Sequence, residues 1–263
     1  MSGSDMSQDH TLMASRFELK YLIPNAVALK VRAFVQQHLD LDEFGEGKPN
    51  LSYPIHSLYL DSDDWKIYWR TVNGDKNRYK LRIRYYSDEP NSPVYFEIKR
   101  RMKDVILKDR CGVRREAVKY VLSGHLPPPE LILSRSAREK QALEEFIRLM
   151  LNLNAHPKMH VAYQREAYVS SFNNEFRVTM DREVRVQLRN EGVLTTKMEN
   201  PFICTEDIVI LELKFTGRYP NWYRDLVQVF HCFQCGAAKF VEGTMMYAGR
   251  RQHINDVIRN MVL

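Results

Sequence analysis

A period-two alternation of polar and apolar positions dominates this chain, most clearly in Arg78 to Tyr86, RYKLRIRYY. Read as a strand, it puts Arg78, Lys80, Arg82 and Arg84 on one face and Tyr79, Leu81, Ile83 and Tyr85 on the other. The pattern recurs with Glu18 and Lys20 in RFELKYL, with Glu97, Lys99 and Arg101 in VYFEIKR, and with Glu206, Glu212 and Lys214 in EDIVILELK. In EFRVTMDREVRV it sets Glu175, Arg177, Thr179, Asp181, Glu183 and Arg185 against Phe176, Val178, Met180, Val184 and Val186. Faces this dense in mixed charge predict a polar interior, because like charges abreast cost free energy unless anions or carboxylates lie between them. The expected fold is α+β, a closed antiparallel barrel with an apolar outside covered by helices and a charged inside.

The remaining elements follow from turn and capping signals. Pro24 opens a helix to about Leu39, and Leu51 to Asp61 reads as a strand whose Asp61 or Ser62 caps a short helix ending at Asn73-Gly74. Strands are expected over Val94 to Arg101, Val105 to Gly112, Met159 to Ser170, Glu175 to Val186 and Asp207 to Phe215. Between the two sets of strands lie a short helix from Arg115, the rigid run Pro127 to Pro129, and a longer helix over Ser136 to Leu151 with Leu143, Phe146, Ile147 and Met150 on one side. Pro220 starts a further helix, and the tail from Thr244 reads as another, with Arg250, Arg251 and Arg259 on its solvated side. Residues 1–15 read as a disordered leader and 16–263 as a single domain closed by both halves of the chain.

Charge sharpens this picture. Lys and Arg number 39 against 33 Asp and Glu, a formal +6 that favours an anionic partner, while 44% hydrophobic residues exclude a disordered polycation. Four cysteines, with Cys232-Phe-Gln-Cys235 the one CxxC, make neither a disulfide framework nor a zinc site with a second pair, and read as plain half-buried thiols. No apolar run approaches the ~20 residues of a membrane span and no secretory leader is visible, so a soluble, cytoplasmic setting is expected. Lys20, Arg78, Lys80, Arg82, Arg84, Lys99, Arg101, Arg165, Arg177, Lys214 and Lys239 are the cations that can surround a linear polyanion, arginine forks giving two-point contacts to phosphoryl oxygens. Glu18, Glu97, Asp181, Glu183, Glu206 and Glu212 offer hard oxygen ligands for magnesium or manganese, or act as counter-ions. There is no GxxxxGK[ST] loop, and His56 either faces phosphate or is structural. Nucleic acid is not the expected partner, because most tyrosines that interleave with the cations, Tyr79 and Tyr85 among them, fall on the opposite face.

The motifs together resemble the VTC domain of polyphosphate polymerases, in the CYTH or triphosphate tunnel superfamily. They are RFELKY at 16–21, SLYLD at 57–61, RYKLRIRYY at 78–86, FEIKR at 96–100, YQREAY at 163–168, FRVTMD at 176–181, ILELK at 210–214 and KF at 239–240. The resemblance implies a tunnel-shaped antiparallel barrel holding ATP and a growing polyphosphate or pyrophosphate among basic residues. It implies phosphate contacts from Lys20, Arg82, Arg84, Lys99, Arg165, Arg177 and Lys239, a further one from Arg70, and a metal carboxylate in Glu212 holding Mn2+ or Mg2+. Arg78, Lys80 and Lys214 extend the anion-binding set. The implied activity is transfer of the γ-phosphoryl group of ATP to polyphosphate. The alternatives are a metal-dependent triphosphatase, or a non-catalytic polyphosphate or nucleotide-binding module. RFELK in place of the superfamily's ExExK puts Arg16 where a triphosphatase has an acid, which argues against hydrolysis, and Phe240 replaces a common tyrosine. The lack of an SPX domain and of a membrane segment resembles the stand-alone bacterial form, with a membrane-protein partner as an expectation.

Overall fold

The computed structural model describes residues 16–103, 105–171 and 175–247. Ten strands form one sheet: β1 (Arg16–Pro24), β2 (Asp40–Leu41), β3 (Ser52–Asp61), β4 (Asn77–Tyr85), β5 (Val94–Met102), β6 (Val105–Val113), β7 (His156–Val169), β8 (Phe176–Leu188), β9 (Phe202–Ile203) and β10 (Ile208–Thr216). The order along the sheet is β1-β10-β8-β7-β3-β4-β5-β6, with β2 on β7 and β9 on β8, and the ladders are antiparallel. Among the described residues six α-helices complete the α+β fold: α1 (Asn25–Val35), α2 (Lys66–Val72), α3 (Val118–Leu122), α4 (Ala137–Asn152), α5 (Asn221–Val229) and α6 (Lys239–Tyr247). None of the described helices is long and apolar enough to cross a membrane.

The closed barrel expected from the alternation is not what forms. Among the described residues β1 and β6 are the two ends of the strand order, and no ladder joins them. The sheet is nevertheless strongly curved. At ~4.8 Å per strand, β1 and β5 would lie ~29 Å apart if it were flat, yet Lys99 Nζ of β5 is 3.1 Å from Glu18 of β1. Alternation reports which side chains share a face. Closure also needs tilt and stagger to match between the two outermost strands, and that information is not in the period.

Parity in the hub strand β4 is as the pattern requires. Leu81, Ile83 and Tyr85 are buried on the convex side with Phe96, Leu143, Phe146 and Met150. A second apolar cluster packs Val31 and Val35 of α1, with Tyr223 and Leu226 of α5, against Tyr21, Met180, Leu211 and Leu213. Asp61, fully buried, caps α2 by accepting from the backbone N–H groups of Ser62, Ile67 and Tyr68 at 2.8 to 2.9 Å. α6 closes one end of the concave face, where Phe240 stacks on Tyr59 with ring centroids 4.9 Å apart.

One parity expectation fails. Glu183 takes φ 52° where the β7–β8 register shifts, so Val184 and Val186 do not lie opposite Asp181 but join the cluster around Phe240. Arg182 turns outward to Glu166 and Glu183 is exposed. α1 also stops at Val35, short of Leu39. The tail beyond 247, with Arg250, Arg251 and Arg259, and the leader 1–15 lie outside the described residues.

Ile83→Asp tests the apolar side of β4. Its carboxylate would be buried where Ile83 is now wholly covered, so we expect a loss of at least ~3 kcal/mol and a large fall in melting temperature. A variant that melts with the parent would refute the assignment of faces.

Candidate functional site

The concave face gathers the cations by strand parity and holds them with two knots of carboxylates. The first knot is Glu97 on β5. Arg82, opposite it in the register, donates from Nε at 2.7 Å and from NH1 to Tyr59 Oη at 3.1 Å. Arg84 Nε lies 3.9 Å from the same carboxylate, and Lys108 Nζ 4.0 Å. Burial pushes Glu97 up, but Arg82 and then Arg84 outweigh it and hold the carboxyl well below the usual range. Arg84 is 7% exposed and donates from NH2 to Tyr163 Oη at 3.2 Å. Its Nε has no hydrogen-bond acceptor among the described residues, nor does the hydroxyl of its cross-strand neighbour Ser57 find a partner.

The second knot joins Asp181 of β8 and Glu212 of β10. Arg165 of β7 forks onto Asp181 with two bonds of 2.7 Å, and Lys239 at the start of α6 reaches the same carboxylate at 2.5 Å. Glu212 is ringed by four cations, Lys214 at 2.6 Å, Lys20 at 3.3 Å, Lys239 at 3.5 Å and Arg165 at 3.6 Å, and accepts from Thr179 Oγ1 at 3.3 Å. Glu18 on β1 sits between Lys20 at 3.3 Å and Lys99 at 3.1 Å. Arg177, at the rim, pairs with Asp42 at 2.7 Å.

These carboxylates do not balance the face. Lys20, Lys80, Arg82, Arg84, Lys99, Lys108, Arg165, Arg177, Lys214 and Lys239 are ten cations against five acids, Glu18, Asp42, Glu97, Asp181 and Glu212. Lys80 shows the imbalance most clearly. It lies beside Lys99 in the register, and burial, then Lys20, Lys99, Arg78 and Arg82, push its ammonium well below its ordinary value. Among the described residues these acids offset half of that charge, and a surplus of this kind attracts groups carrying several negative charges.

The other expected residues lie at the margin of this cluster or away from it. Arg78 sits at the far end of β4, near enough to act on Lys80, and donates to the Asp75 carbonyl, and Arg101 is exposed, donating to the Lys103 carbonyl at 2.9 Å. Arg70 is exposed on α2 beside Tyr79, on the convex side. Glu206 is exposed ahead of β10. His56 lies on the convex side, its ring stacked on Tyr85 at 5.4 Å. Cys111, Cys204, Cys232 and Cys235 are free thiols. The sequence reading overlooked Lys108 and Arg110 of β6, which stand opposite Lys99 and Glu97, and Arg110 lies 5.0 Å over the Tyr95 ring. Their alternation in VILKDR was visible. Asp42, Ser57, Tyr59 and Tyr163 carried no such signal, since each depends on a long-range neighbour.

Glu212 shares Arg165 and Lys239 with the neighbouring carboxylate of Asp181. The described residues contain no group of three His, Cys, Asp or Glu side chains placed to hold an ion. Its oxygens already face four cations, so the site fits a hard divalent ion only when phosphate oxygens supply most of the ligands.

Three outcomes follow from this charge balance. Lys80→Met should raise the melting temperature in phosphate-free buffer and weaken tripolyphosphate binding, and the stability gain should shrink as the pH approaches 10 and parental Lys80 sheds its proton in the unfolded chain too. Asp181→Asn should cost ~3 to 5 kcal/mol, because it strands Arg165 and Lys239. Burial lowers Lys108 to about 8. Anion binding favours its charged form, so affinity should be full below about pH 8 and fall above it, a slope that Lys108→Gln should flatten in calorimetric titrations.

Comparison with known proteins agrees with the motifs. Over residues 15–247 the chain matches the family model of the VTC domain. It is similar to vacuolar transporter chaperone complex subunit 4 of Schizosaccharomyces pombe, 23% identical over 245 residues, and to subunit 2 of the same complex and organism, 22% identical over 172 residues. These alignments cover 79% and 59% of this chain but only 34% and 23% of the relatives, so the chain spans about a third or less of their length. The family match extends over both carboxylate knots and the helix that supplies Lys239, and the chain belongs to the VTC domain family.

Proposed function

We propose that the concave face binds ATP and inorganic polyphosphate and transfers the γ-phosphoryl group of ATP to the end of the polyphosphate chain, releasing ADP. The observation that carries this reading is the excess of cations on the concave face, where neighbouring cations push Lys80 below its ordinary value and the buried Arg84 Nε has no hydrogen-bond acceptor among the described residues. A linear polyanion satisfies many such donors at once. The rings that do lie among the cations, Tyr59 and Tyr163, are engaged by Arg82, Arg84, Arg165 and Lys239, while Tyr79 and Tyr85 belong to the opposite face.

The attacking group is a terminal phosphate oxygen that is ionised at neutral pH, so no protein general base is required. The chain's residues act by positioning and by neutralising charge as it spreads over the transferring group. Arg82 and Arg84 present guanidinium forks from adjacent inward positions of one strand, and their orientation is fixed by Glu97, Tyr59 and Tyr163. Arg165 and Lys239 are held by Asp181 from the opposite wall. Lys99 on β5, beside β4, and Lys214 and Lys20 on β10 and β1, beyond β8, extend the row in the role of point charges along the polymer. Glu212 would hold Mn2+ or Mg2+, which when bound supplies further charge neutralisation between the phosphates. A membrane-protein partner belongs to the same proposal, since the relatives are named as subunits of a transporter chaperone complex.

Incubation with ATP and manganese should yield long polymer that an exopolyphosphatase digests, together with ADP. ADP and orthophosphate alone would identify a triphosphatase, and tight binding without turnover a passive module. Arg84→Ala should lower the rate by ~10²-fold or more with no loss of melting temperature. Full turnover in that variant would remove the concave face from the reaction.

A further inference from the structure

The convex side of the same strands carries a second basic cluster that the concave-face chemistry does not use. The register sets Tyr85 beside His56, His56 beside Ala162 and Ala162 beside Arg185. Small Ala162 therefore separates the His56 and Arg185 side chains by two strand spacings, ~10 Å. His160 Nε2 approaches His56 Nδ1 at 3.1 Å and Tyr85 Oη at 3.0 Å. Because the Tyr85 hydroxyl donates to the Thr195 carbonyl at 2.8 Å, the proton between Tyr85 and His160 belongs to His160 Nε2. Both rings stay neutral at physiological pH: burial lowers His56 to about 4 and His160 to about 3, with Arg185 adding to both.

Arginines surround this pair. Arg115 lies 5.8 Å over the Tyr85 ring and donates to the carbonyls of Leu194 at 3.0 Å and Ser87 at 2.5 Å. Arg189 donates to the Lys197 carbonyl at 3.2 Å. Residues 189–197 thus run over the cluster. The Nε atoms of Arg115, Arg185 and Arg189 are all buried without an acceptor among the described residues. The acid that faces the group, Asp88, is engaged by Thr196, whose N–H and hydroxyl donate to it at 2.7 and 2.6 Å. Three arginines about the Tyr85–His160 pair thus each keep one buried Nε donor unsatisfied, while Thr196 engages the nearby carboxylate, and such donors call for an anion.

We propose that this cluster is a second anion site, taking a tetrahedral oxyanion of the phosphate class through Arg115, Arg185 and Arg189 beneath residues 189–197. It is distinct from the concave site, because Arg84 and Tyr85 are consecutive residues pointing to opposite faces of one strand. Occupancy pins the 189–197 segment to the sheet.

Hydrogen exchange reads this locally, with orthophosphate as the probe and chloride at equal ionic strength as the control. Amides of 189–197 should exchange about sixfold more slowly at phosphate about five times its dissociation constant. Protection should persist in Arg84→Gln and vanish in the Arg185→Gln/Arg189→Gln variant. Arg185→Gln alone, which removes no side-chain hydrogen bond among the described residues, gives the same readout if the double variant does not fold. Equal protection in the parent and Arg185→Gln, or no protection of 189–197 in the parent, would overturn the site. Because the readout needs no turnover, it stands apart from polymer synthesis.

Discussion

Confinement of like charge is the constraint on which this structure depends. A period-two strand that packs Leu81, Ile83 and Tyr85 into a core must send Arg82 and Arg84 to the other side. Curvature of the sheet then brings such rows from several strands face to face. The protein answers with carboxylates placed where cations from different strands meet: Glu97 between the arginines of β4, Asp181 between β7 and α6, and Glu212 among β1, β7, β10 and α6. These acids organise the face but leave charge over, and that remainder is what an anionic substrate would meet. At Lys80 the remainder is felt directly, because burial and the neighbouring cations push its ammonium well below its ordinary value and so weaken the fold.

The same logic explains how consecutive residues serve two sides of the sheet. Arg165 forks onto Asp181 on the concave side, while its neighbour Glu166, fully buried, faces outward to Arg32 and Arg182 and anchors α1. Moving either residue by one register position would exchange the two networks, so the charges themselves help to fix strand pairing.

Much of this was legible in the chain. Alternation located the inward rows of β1, β4, β5 and β10, and apolar spacing located α4, because both signals are local and periodic. Three things escaped it. A bulge at Glu183 moved Val184 and Val186 to the other face, and a single positive φ leaves no mark on the apolar pattern. Arg70 belongs to a motif-rich stretch, but the direction of a helical side chain depends on how α2 docks, and it docks with Arg70 exposed beside Tyr79. Whether β1 and β6 would pair could not be read at all, since edge-to-edge geometry is set by the accumulated twist of every strand between them.

The missing ladder between β1 and β6 leaves a seam of a different chemical kind from the rest of the sheet. The two edge strands approach one another, with Cα atoms within 8 Å, but no backbone ladder joins them, and the Glu18–Lys99 ion pair reaches across from β1 to β5. Ionic contacts at an accessible site are weakened by screening over ~8 Å at physiological salt, so the cohesion of this seam, unlike that of the ladders, depends on ionic strength.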